Sequence, residues 1–207
     1  MYVTLNRRIF ESIPKNSKIL DIGSATGVLG MQIRKKKTPQ FLAGIEMDAR
    51  MSAVGHRFYD QILVADINTL AKLSFRQNFF DVIVLGDVLE HLIDPEKCLV
   101  LLKKYLHPGG VIIVSVPNVA FITIRLAMLL GRFNYTDKGI LDKTHLHFFT
   151  LDTVKRLIAR SGYKIISARG YINTRPAFKF LDFFARVYPS LFAYQYLLVA
   201  KKVIKHP

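Results

Sequence analysis

The sequence predicts an α/β protein in which one mostly parallel sheet of seven strands is covered by helices on both faces. Short β-branched or apolar runs alternate with helical stretches along the chain, a pattern typical of such a sheet. The 207 residues are 51% hydrophobic and 22% charged, which suits a single domain over residues 1–207 with a sizeable core.

The first half of the chain supplies five strands and three helices. The predicted strands cover residues 18–22, 41–46, 61–65, 81–85 and 110–116. The predicted helices lie near residues 28–36, 49–57 and 95–106. A turn at Pro108-Gly109-Gly110 is expected to separate the third helix from the fifth strand.

The second half begins with a predicted amphipathic helix over residues 119–135, followed by a polar, aromatic and histidine-bearing stretch. Thr150 then begins a helix that Ser161-Gly162 closes. Two strands at 163–170 and 194–202 flank a predicted helix at 178–188. These strands are too few for a core of their own, so we expect them to extend the first sheet.

Charge and cysteine usage limit the function classes. The net charge is +15, and residues 119–207 hold 15 Lys and Arg against 4 Asp and Glu. This excess fits simple solubility or a generally basic proteome, and the functional alternatives are an anionic substrate, an anionic membrane surface or nucleic acid. Nucleic acid is less favoured because the basic residues are dispersed and no binding motif is found among them. Cys98 is the only cysteine, and no secretory signal is recognised, so we expect a cytoplasmic protein.

The stretch ILDIGSATG, residues 19–27, runs from an apolar strand into an acid and a loop of small residues. A phosphate-binding P-loop would require a lysine that residues 23–30 lack. A dinucleotide fingerprint fails at Ala25 and Val28, where glycines are needed. Acids follow three strands, at Asp21, Glu46 and Asp66, and an acid such as Glu46 suits a ribose diol better than a phosphate. S-adenosylmethionine is therefore the predicted ligand.

Five segments, in order and over about residues 18–118, carry a family resemblance. They read ILDIGSATGVLG, AGIEMD, VADI, FDVIVLGDVLEHLIDP and LHPGGVIIVSVPN. Together they resemble a class I S-adenosylmethionine-dependent methyltransferase, although Ala25 replaces the middle glycine of that family's GxGxG loop. The resemblance implies a Rossmann-like fold with an antiparallel last strand, a cofactor-binding core at 18–118, and S-adenosylmethionine as cofactor.

The resemblance also assigns cofactor-binding residues. The methionine end would be lined by Asp21, Gly23, Ser24, Ala25 and Gly27. Glu46 would hold the ribose, with Met47 beside the adenine. Asp66 and Ile67 would meet the adenine edge, and Gly86 and Asp87 would border the methyl group and the acceptor.

Residues 119–150 would then be an insertion over the active site that recognises the acceptor. The segment resembles bacterial methyltransferases grouped with methionine-biosynthesis protein W and the ubiquinone-type O-methyltransferases. Its D-x-T-H-x-x-F-F-T pattern also recurs in methyltransferases of cell-surface polysaccharide clusters. His91, His145 and Asp87 are the candidate catalytic residues, since a general base helps a hydroxyl acceptor. If this stretch is a strand, His145 and His147 would share a face. Together with Asp142 they are thin evidence for a metal site, and no metal is predicted.

The predicted activity is methyl transfer to a small-molecule acceptor, with oxygen favoured over carbon or nitrogen. A sugar, a quinone precursor or a lipid-linked metabolite would fit, the last with peripheral contact to a membrane. Three alternatives stay open: an NAD-dependent oxidoreductase, a non-catalytic or regulatory subunit that retains the fold, and an RNA methyltransferase.

Overall fold

The structure is a computed structural model that describes residues 5–172 and 181–203. Seven strands form one sheet in the order β3-β2-β1-β4-β5-β7-β6. The strands are β1 Lys18–Ile22, β2 Phe41–Glu46, β3 Gln61–Val64, β4 Phe80–Gly86, β5 Leu106–Pro117, β6 Tyr163–Tyr171 and β7 Gln195–Lys202. Strands β1 to β5 pair in parallel, and β7 runs antiparallel to both β5 and β6. The predicted fold class, including the antiparallel last strand, is confirmed.

Eight helices occupy the described residues. They are α1 Arg7–Ser12, α2 Val28–Lys36, α3 Ala49–Gly55, α4 Pro95–Lys103, α5 Ile122–Leu129, α6 Leu151–Arg160, α7 Leu181–Val187 and α8 Pro189–Phe192. Short 3₁₀ turns follow α3 and β4, at His56–Phe58 and Leu89–His91. None of the helices within 5–172 and 181–203 is long and apolar enough to cross a membrane.

The sheet buries two apolar layers. One layer, here called the α1–α2 face, joins Ile9 and Ile33 to alternate residues of the central strands, such as Ile19 and Val84. The other, the α4–α6 face, packs residues of α4 and α6 on the intervening side chains. Because side chains alternate along a strand, Asp21 and Glu46 project toward the α1–α2 face at the carboxyl ends of β1 and β2.

Two predicted boundaries of the first half were wrong. The helix α4 ends at Lys103 instead of 106, and the Pro108–Gly110 stretch lies inside β5 instead of forming a turn. The sheet accommodates this stretch through a register shift, since Phe80 pairs with Leu106 but Val82 pairs with Val111. A Cβ atom on Gly110 would lie 2.9 Å from the Asp81 carbonyl oxygen, so glycine permits the close approach of the two backbones.

The predicted helix at 119–135 is shorter in the structure. The side chain of Asn118 accepts a hydrogen bond from Ala120 N and holds the chain out of helical geometry before α5 begins. Gly131, with φ of 69°, ends the helix. The predicted helix at 178–188 is divided into α7 and α8 around Tyr188 and Pro189, and its residues 178–180 lie outside the described residues.

Candidate cofactor and acceptor site

The loop between β1 and α2 turns through three left-handed residues. Gly23 and Gly27 have φ values of 73° and 77°, and Ala25 between them has φ of 47°. A Cβ on Gly27 would approach the Cα of Gly55 to 2.8 Å, so no side chain fits there. The left-handed Ala25 carries a steric cost of about 1–2 kcal/mol that a glycine would avoid.

Glu46, at the end of β2, holds this loop from the neighbouring strand. Its Oε2 accepts a hydrogen bond of 2.8 Å from Ala25 N, and its Oε1 accepts one of 2.9 Å from Asp48 N. Asp48 in turn caps α3 through its own side chain. The carboxylate of Glu46 is thus fixed at the loop, and each of its oxygens retains a lone pair for another donor.

Asp21 lies beneath the same loop and is buried, with 3% of its surface exposed. Its Oδ2 accepts a hydrogen bond of 2.7 Å from the hydroxyl of Tyr59. Burial raises the pKa of Asp21 to about 7; the hydrogen bond from Tyr59 opposes this rise, and the charge of Glu46 adds to it. Tyr59 was not predicted as a site residue.

Ser24 adds a polar group with no partner. Its buried Oγ makes no hydrogen bond to any atom of the described residues. The same Oγ packs closely on Gly44, since a Cβ at that position would lie 2.9 Å from it. An orphaned hydroxyl, a buried acid and a fixed carboxylate around one loop suit a ligand with an amino acid end and a diol. These are the polar groups of S-adenosylmethionine, so the residues fit the predicted cofactor.

The residues predicted for adenine lie in three different environments. Asp66 forms a turn, with Oδ1 accepting hydrogen bonds of 2.9 Å from both the backbone N and the side-chain Nδ2 of Asn68. Ile67 is buried in the α4–α6 face, and Met47 is 68% exposed. A cavity of about 250 Å³ adjoins this region, with Ile67, Asn68 and Cys98 among its walls.

Asp87 follows β4 in a left-handed conformation, with φ of 57°. Its Oδ1 accepts hydrogen bonds from Ser115 Oγ, at 2.7 Å, and from Gln195 Nε2. Burial raises the pKa of Asp87, while the two hydrogen bonds and nearby His91 offset part of that rise. Three strand ends therefore converge on this carboxyl group, and Gln195 reaches it from the antiparallel strand β7. Gly86 precedes it, facing Ile9 of α1.

Residues 119–150, the predicted insertion and called by that name below, dock on the segment after β4 near His91. The Nδ1 of His91 lies 3.2 Å from the carbonyl oxygen of Thr144, and the rings of His91 and His145 meet edge to face at 4.8 Å. His145 is buried, donates from Nδ1 to the Ile140 carbonyl at 3.0 Å, and has its pKa lowered by burial. The structure thus brings together His91 and His145, which are 54 residues apart in the chain.

The D-x-T-H pattern builds the docking turn. Oδ1 of Asp142 accepts hydrogen bonds of 2.9 and 2.7 Å from the N and Oγ1 atoms of Thr144. The Leu146 and His147 amides donate to the carbonyl oxygen of Glu90, at 2.8 and 3.0 Å. The prediction that His145 and His147 would share a strand face was wrong, because this stretch is a loop. His147 instead points Nε2 at the Ile93 carbonyl, at 3.3 Å.

Glu90 is a functional candidate that the sequence did not reveal. It is 1% exposed, and neither carboxylate oxygen has a hydrogen-bond partner among the described residues. Burial and the charge of Asp87 hold the pKa of Glu90 well above its usual value. Ligand atoms of Glu90, His91 and His145 lie within 4.8 Å of one another, a set that could hold a metal ion. The weakly suggested set of Asp142, His145 and His147 is not the one the structure groups.

Comparisons with known proteins agree with this geometry. The family model described as "Methyltransferase domain" matches residues 3–168. The chain is 32% identical over 114 residues to a ubiquinone biosynthesis O-methyltransferase of Pasteurella multocida, covering 49% of this chain and 46% of that protein. It is 23% identical over 171 residues to a demethylmenaquinone methyltransferase of Lactiplantibacillus plantarum, covering 73% and 72%.

Among solved structures, an S-adenosylmethionine dependent methyltransferase from Mesorhizobium loti superposes with a TM-score of 0.69. The identity is 15%, and the match covers 95% of this chain and 96% of that one. At this identity the likeness describes the fold. The chain spans about half the length of the first of the two curated relatives, so that protein's whole activity is not carried over by the match.

Proposed function

Because the chain belongs to the methyltransferase-domain family, we propose that it transfers a methyl group from S-adenosylmethionine to the oxygen of a small-molecule acceptor. Family and fold together imply this cofactor. The observation that carries the proposal is the cluster of Asp21, Ser24 and Glu46 around the loop at the carboxyl ends of β1 and β2. Open parallel sheets bind ligands at this edge.

Each residue has a separate task in the proposed site. When bound, the cofactor supplies a methyl group activated by its sulfonium. Asp21 and Ser24, with the loop of Gly23, Ala25 and Gly27, would bind the amino acid end. Glu46 would accept hydrogen bonds from the ribose hydroxyls. The adenine would lie by Met47, Asp66 and Ile67. The chain then contributes mainly alignment, which suits an in-line displacement.

The acceptor is proposed to bind where Asp87 and the insertion meet. Nδ1 of His91 faces the carbonyl oxygen of Thr144, and a neutral ring that donates to this oxygen would leave the lone pair of Nε2 for a base. His91 is also partly exposed, whereas His145 is buried against it. We assign His91 the role of base for an acceptor hydroxyl, with His145 orienting its ring and Asp87 at the border of the methyl group.

An acceptor with a lipid or quinone character is favoured by the surface of the insertion. Leu126, Met128, Leu129 and Leu130 are all more than half exposed, and Arg125 and Arg132 lie among them. The two curated relatives are named for ubiquinone and menaquinone methylation. We therefore propose that this surface rests on anionic lipid at a cytoplasmic membrane face while a lipid-linked or quinone-precursor acceptor enters the site. If the protein does not contact a membrane, a sugar is the acceptor that we propose instead.

Vesicle sedimentation tests the membrane contact. We expect binding to vesicles containing phosphatidylglycerol, weakened by salt, and loss of binding in the Leu129→Asp/Leu130→Asp variant. Ile166→Asp, on the exposed side of β6, is the matched control because Ile166 is also about half exposed. Equal binding by both variants would remove the membrane proposal and favour a water-soluble acceptor.

Calorimetric titration with S-adenosylhomocysteine, NAD and NADP tests the main proposal. We expect micromolar binding of S-adenosylhomocysteine alone, weakened by roughly 1–3 kcal/mol in Glu46→Ala. The exposed Glu11, paired with Arg7, supplies the control Glu11→Ala. Binding only of a dinucleotide would make the protein an oxidoreductase. Tight S-adenosylhomocysteine binding with no methylation across an acceptor screen would favour a regulatory subunit.

A further inference from the structure

The carboxyl group of Asp21 is enclosed by groups that do not ionise, with two exceptions. Its neighbours in register are Gly44 on β2 and Val84 on β4, and α2 packs nearby through Gly30. The titratable groups that act on the carboxyl are Tyr59, from the loop before β3, and Glu46, from β2. Within the described part of the chain, the Tyr59 hydroxyl donates the hydrogen bond that the side chain of Asp21 accepts.

Tyr59 is held in place by two glycines on separate elements. A Cβ on Gly30, inside α2, would lie 2.5 Å from the Tyr59 ring. A Cβ on Gly44, inside β2, would lie 3.3 Å from it. Glycine destabilises the interior of a helix or strand relative to alanine. Gly30 and Gly44 both stand where the Tyr59 ring packs, although glycine is unfavourable inside a helix or strand. The packing of these two elements therefore fixes the position of the Tyr59 hydroxyl.

The enclosure makes the Asp21 carboxyl group harder to ionise than an exposed aspartate. Burial raises the pKa of Asp21 to about 7, and the repulsion from Glu46 acts in the same direction. The Tyr59 hydroxyl opposes both, because a donated hydrogen bond stabilises the ionised form. A cation beside this acid favours ionisation further, and the cofactor's amino acid end carries an ammonium group.

We propose that Tyr59 is a positioning residue that holds Asp21 ready to ionise, so that binding of the cofactor's ammonium group expels a proton from this carboxyl. The inference rests on the proposed function, since it places the amino acid end of the cofactor at Asp21. It adds a residue that acts through Asp21 and a proton that leaves when the cofactor binds. The proton moves from the Asp21 carboxyl to solvent, and no covalent bond to carbon changes.

The test is calorimetric titration with S-adenosylhomocysteine between pH 5.5 and 9, in two buffers with different ionisation enthalpies. The wild-type protein should release a proton near pH 7, and its affinity should fall up to about tenfold per pH unit below that. Tyr59→Phe should move the midpoint upward by about one unit, which weakens binding about fivefold at pH 7 and little at pH 9. Asp21→Asn should bind more weakly, with no proton release at this midpoint.

Tyr105→Phe is the matched control, because Tyr105 is also a buried tyrosine, hydrogen bonded to Leu73 and remote from any acid of the site. It should leave the midpoint unchanged. A loss of affinity in Tyr59→Phe that is equal at every pH would mean a structural role only and would overturn the inference. Wild-type protein that binds S-adenosylhomocysteine with pH-independent affinity would overturn it while leaving the proposed function intact.

A second measurement does not require the cofactor. Carbon-13 NMR of the aspartate carboxyls in the free protein should show a group titrating near pH 7 that Asp21→Asn removes. Tyr59→Phe should raise that midpoint. An Asp21 carboxyl that titrates near pH 4 in the folded protein would sink the inference whether or not any ligand binds. Failure to bind S-adenosylhomocysteine at any pH would instead count against the proposed function.

Discussion

Oγ of Ser115 on β5 donates a 2.7 Å hydrogen bond to Oδ1 of Asp87, the residue that follows β4. The Asp87 amide returns hydrogen bonds to the Ser115 carbonyl and hydroxyl oxygens, at 3.2 and 3.1 Å. The two strands are therefore locked together at their carboxyl ends, and the left-handed backbone of Asp87 is held by contacts on both its main chain and its side chain.

Removing the hydroxyl in Ser115→Ala should destabilise the protein in a pH-dependent way. The ionised form of Asp87 loses a donor, and we expect the free energy of unfolding at pH 8 to fall by about 1–2 kcal/mol. At pH 5 the loss should shrink, because the raised pKa of Asp87 leaves more of it protonated. Chemical denaturation at both pH values measures this. Ser161→Ala removes a buried hydroxyl that donates to the Leu157 carbonyl oxygen, and it is the control. It should lower the free energy of unfolding by an amount that does not change with pH.

Asp21→Asn should stabilise the protein at high pH. The folded-state pKa of about 7 exceeds the unfolded value of 3.8, so wild-type stability is full below pH 4 and is lost as pH rises through 7. The ionised form therefore costs on the order of 4 kcal/mol at pH 8. Since the new amide leaves a donor unpaired at every pH, we expect a net gain of about 1–3 kcal/mol at pH 8 that becomes a net loss near pH 4. Thermal melts across pH measure it, and Asp81→Asn, which alters a carboxylate that accepts from Lys18 N, should show no gain.

The glycine loop should respond oppositely to two substitutions. Ala25→Gly relieves a left-handed alanine but frees the unfolded chain, for a net gain of roughly 0.5–1 kcal/mol. Gly27→Ala should cost several kcal/mol and weaken S-adenosylhomocysteine binding, because its Cβ would meet the Gly55 backbone. Thermal melts rank the two variants. A destabilised Ala25→Gly would show that the departure at this position is compensated by contacts of the methyl group.

Asp142→Ala should loosen the docking turn of the insertion. It removes two hydrogen bonds to Thr144, for a cost of about 1–2 kcal/mol local to this loop. We expect faster trypsin cleavage after Lys138 and Lys143, with little change in the global melting temperature. Asp137→Ala, which breaks only an exposed pair with Lys143, is the control. Unchanged cleavage in both variants would show that other contacts hold the loop.

Glu90→Gln should raise stability at pH 8. The buried carboxyl has no partner among the described residues, and its pKa lies well above the usual value, so a neutral amide of the same shape avoids the cost of ionisation. We expect a higher melting temperature at pH 8 and a smaller difference at pH 5. Glu96→Gln, at an exposed pair with Arg160, is the control. A lower melting temperature for Glu90→Gln would mean that the carboxylate has a partner in solution, such as a divalent cation.

The parts of the site that could be predicted are those that follow local patterns. Asp21 and Glu46 each end a short apolar run, and a parallel sheet brings such ends to one edge. Tyr59 could not be found this way, because it reaches Asp21 across 38 residues and its place depends on packing. The signal available was indirect: Gly30 and Gly44 interrupt a helix and a strand, and interior glycines mark a close approach.

The contacts of Gln195 and Glu90 required the tertiary arrangement. Gln195 meets Asp87 over 108 residues only because β7 inserts between β5 and β6. Glu90 is buried by the docked insertion, and no pattern in DVLEHL distinguishes it from a surface acid. The predicted helix at 119–135 failed for a local reason, since its amphipathic pattern continues past the left-handed Gly131.

The insertion is joined to the segment after β4 through the carbonyl oxygen of Glu90, which accepts from the Leu146 and His147 amides. Main-chain hydrogen bonds of this kind place no demand on the side chains at either end. Side chains of the insertion can therefore vary while this main-chain joint is kept, provided that the contacts of His91 with Thr144 and His145 are kept or exchanged with it. A graft that carries the D-x-T turn together with His91 is therefore predicted to dock on the same carbonyl oxygen.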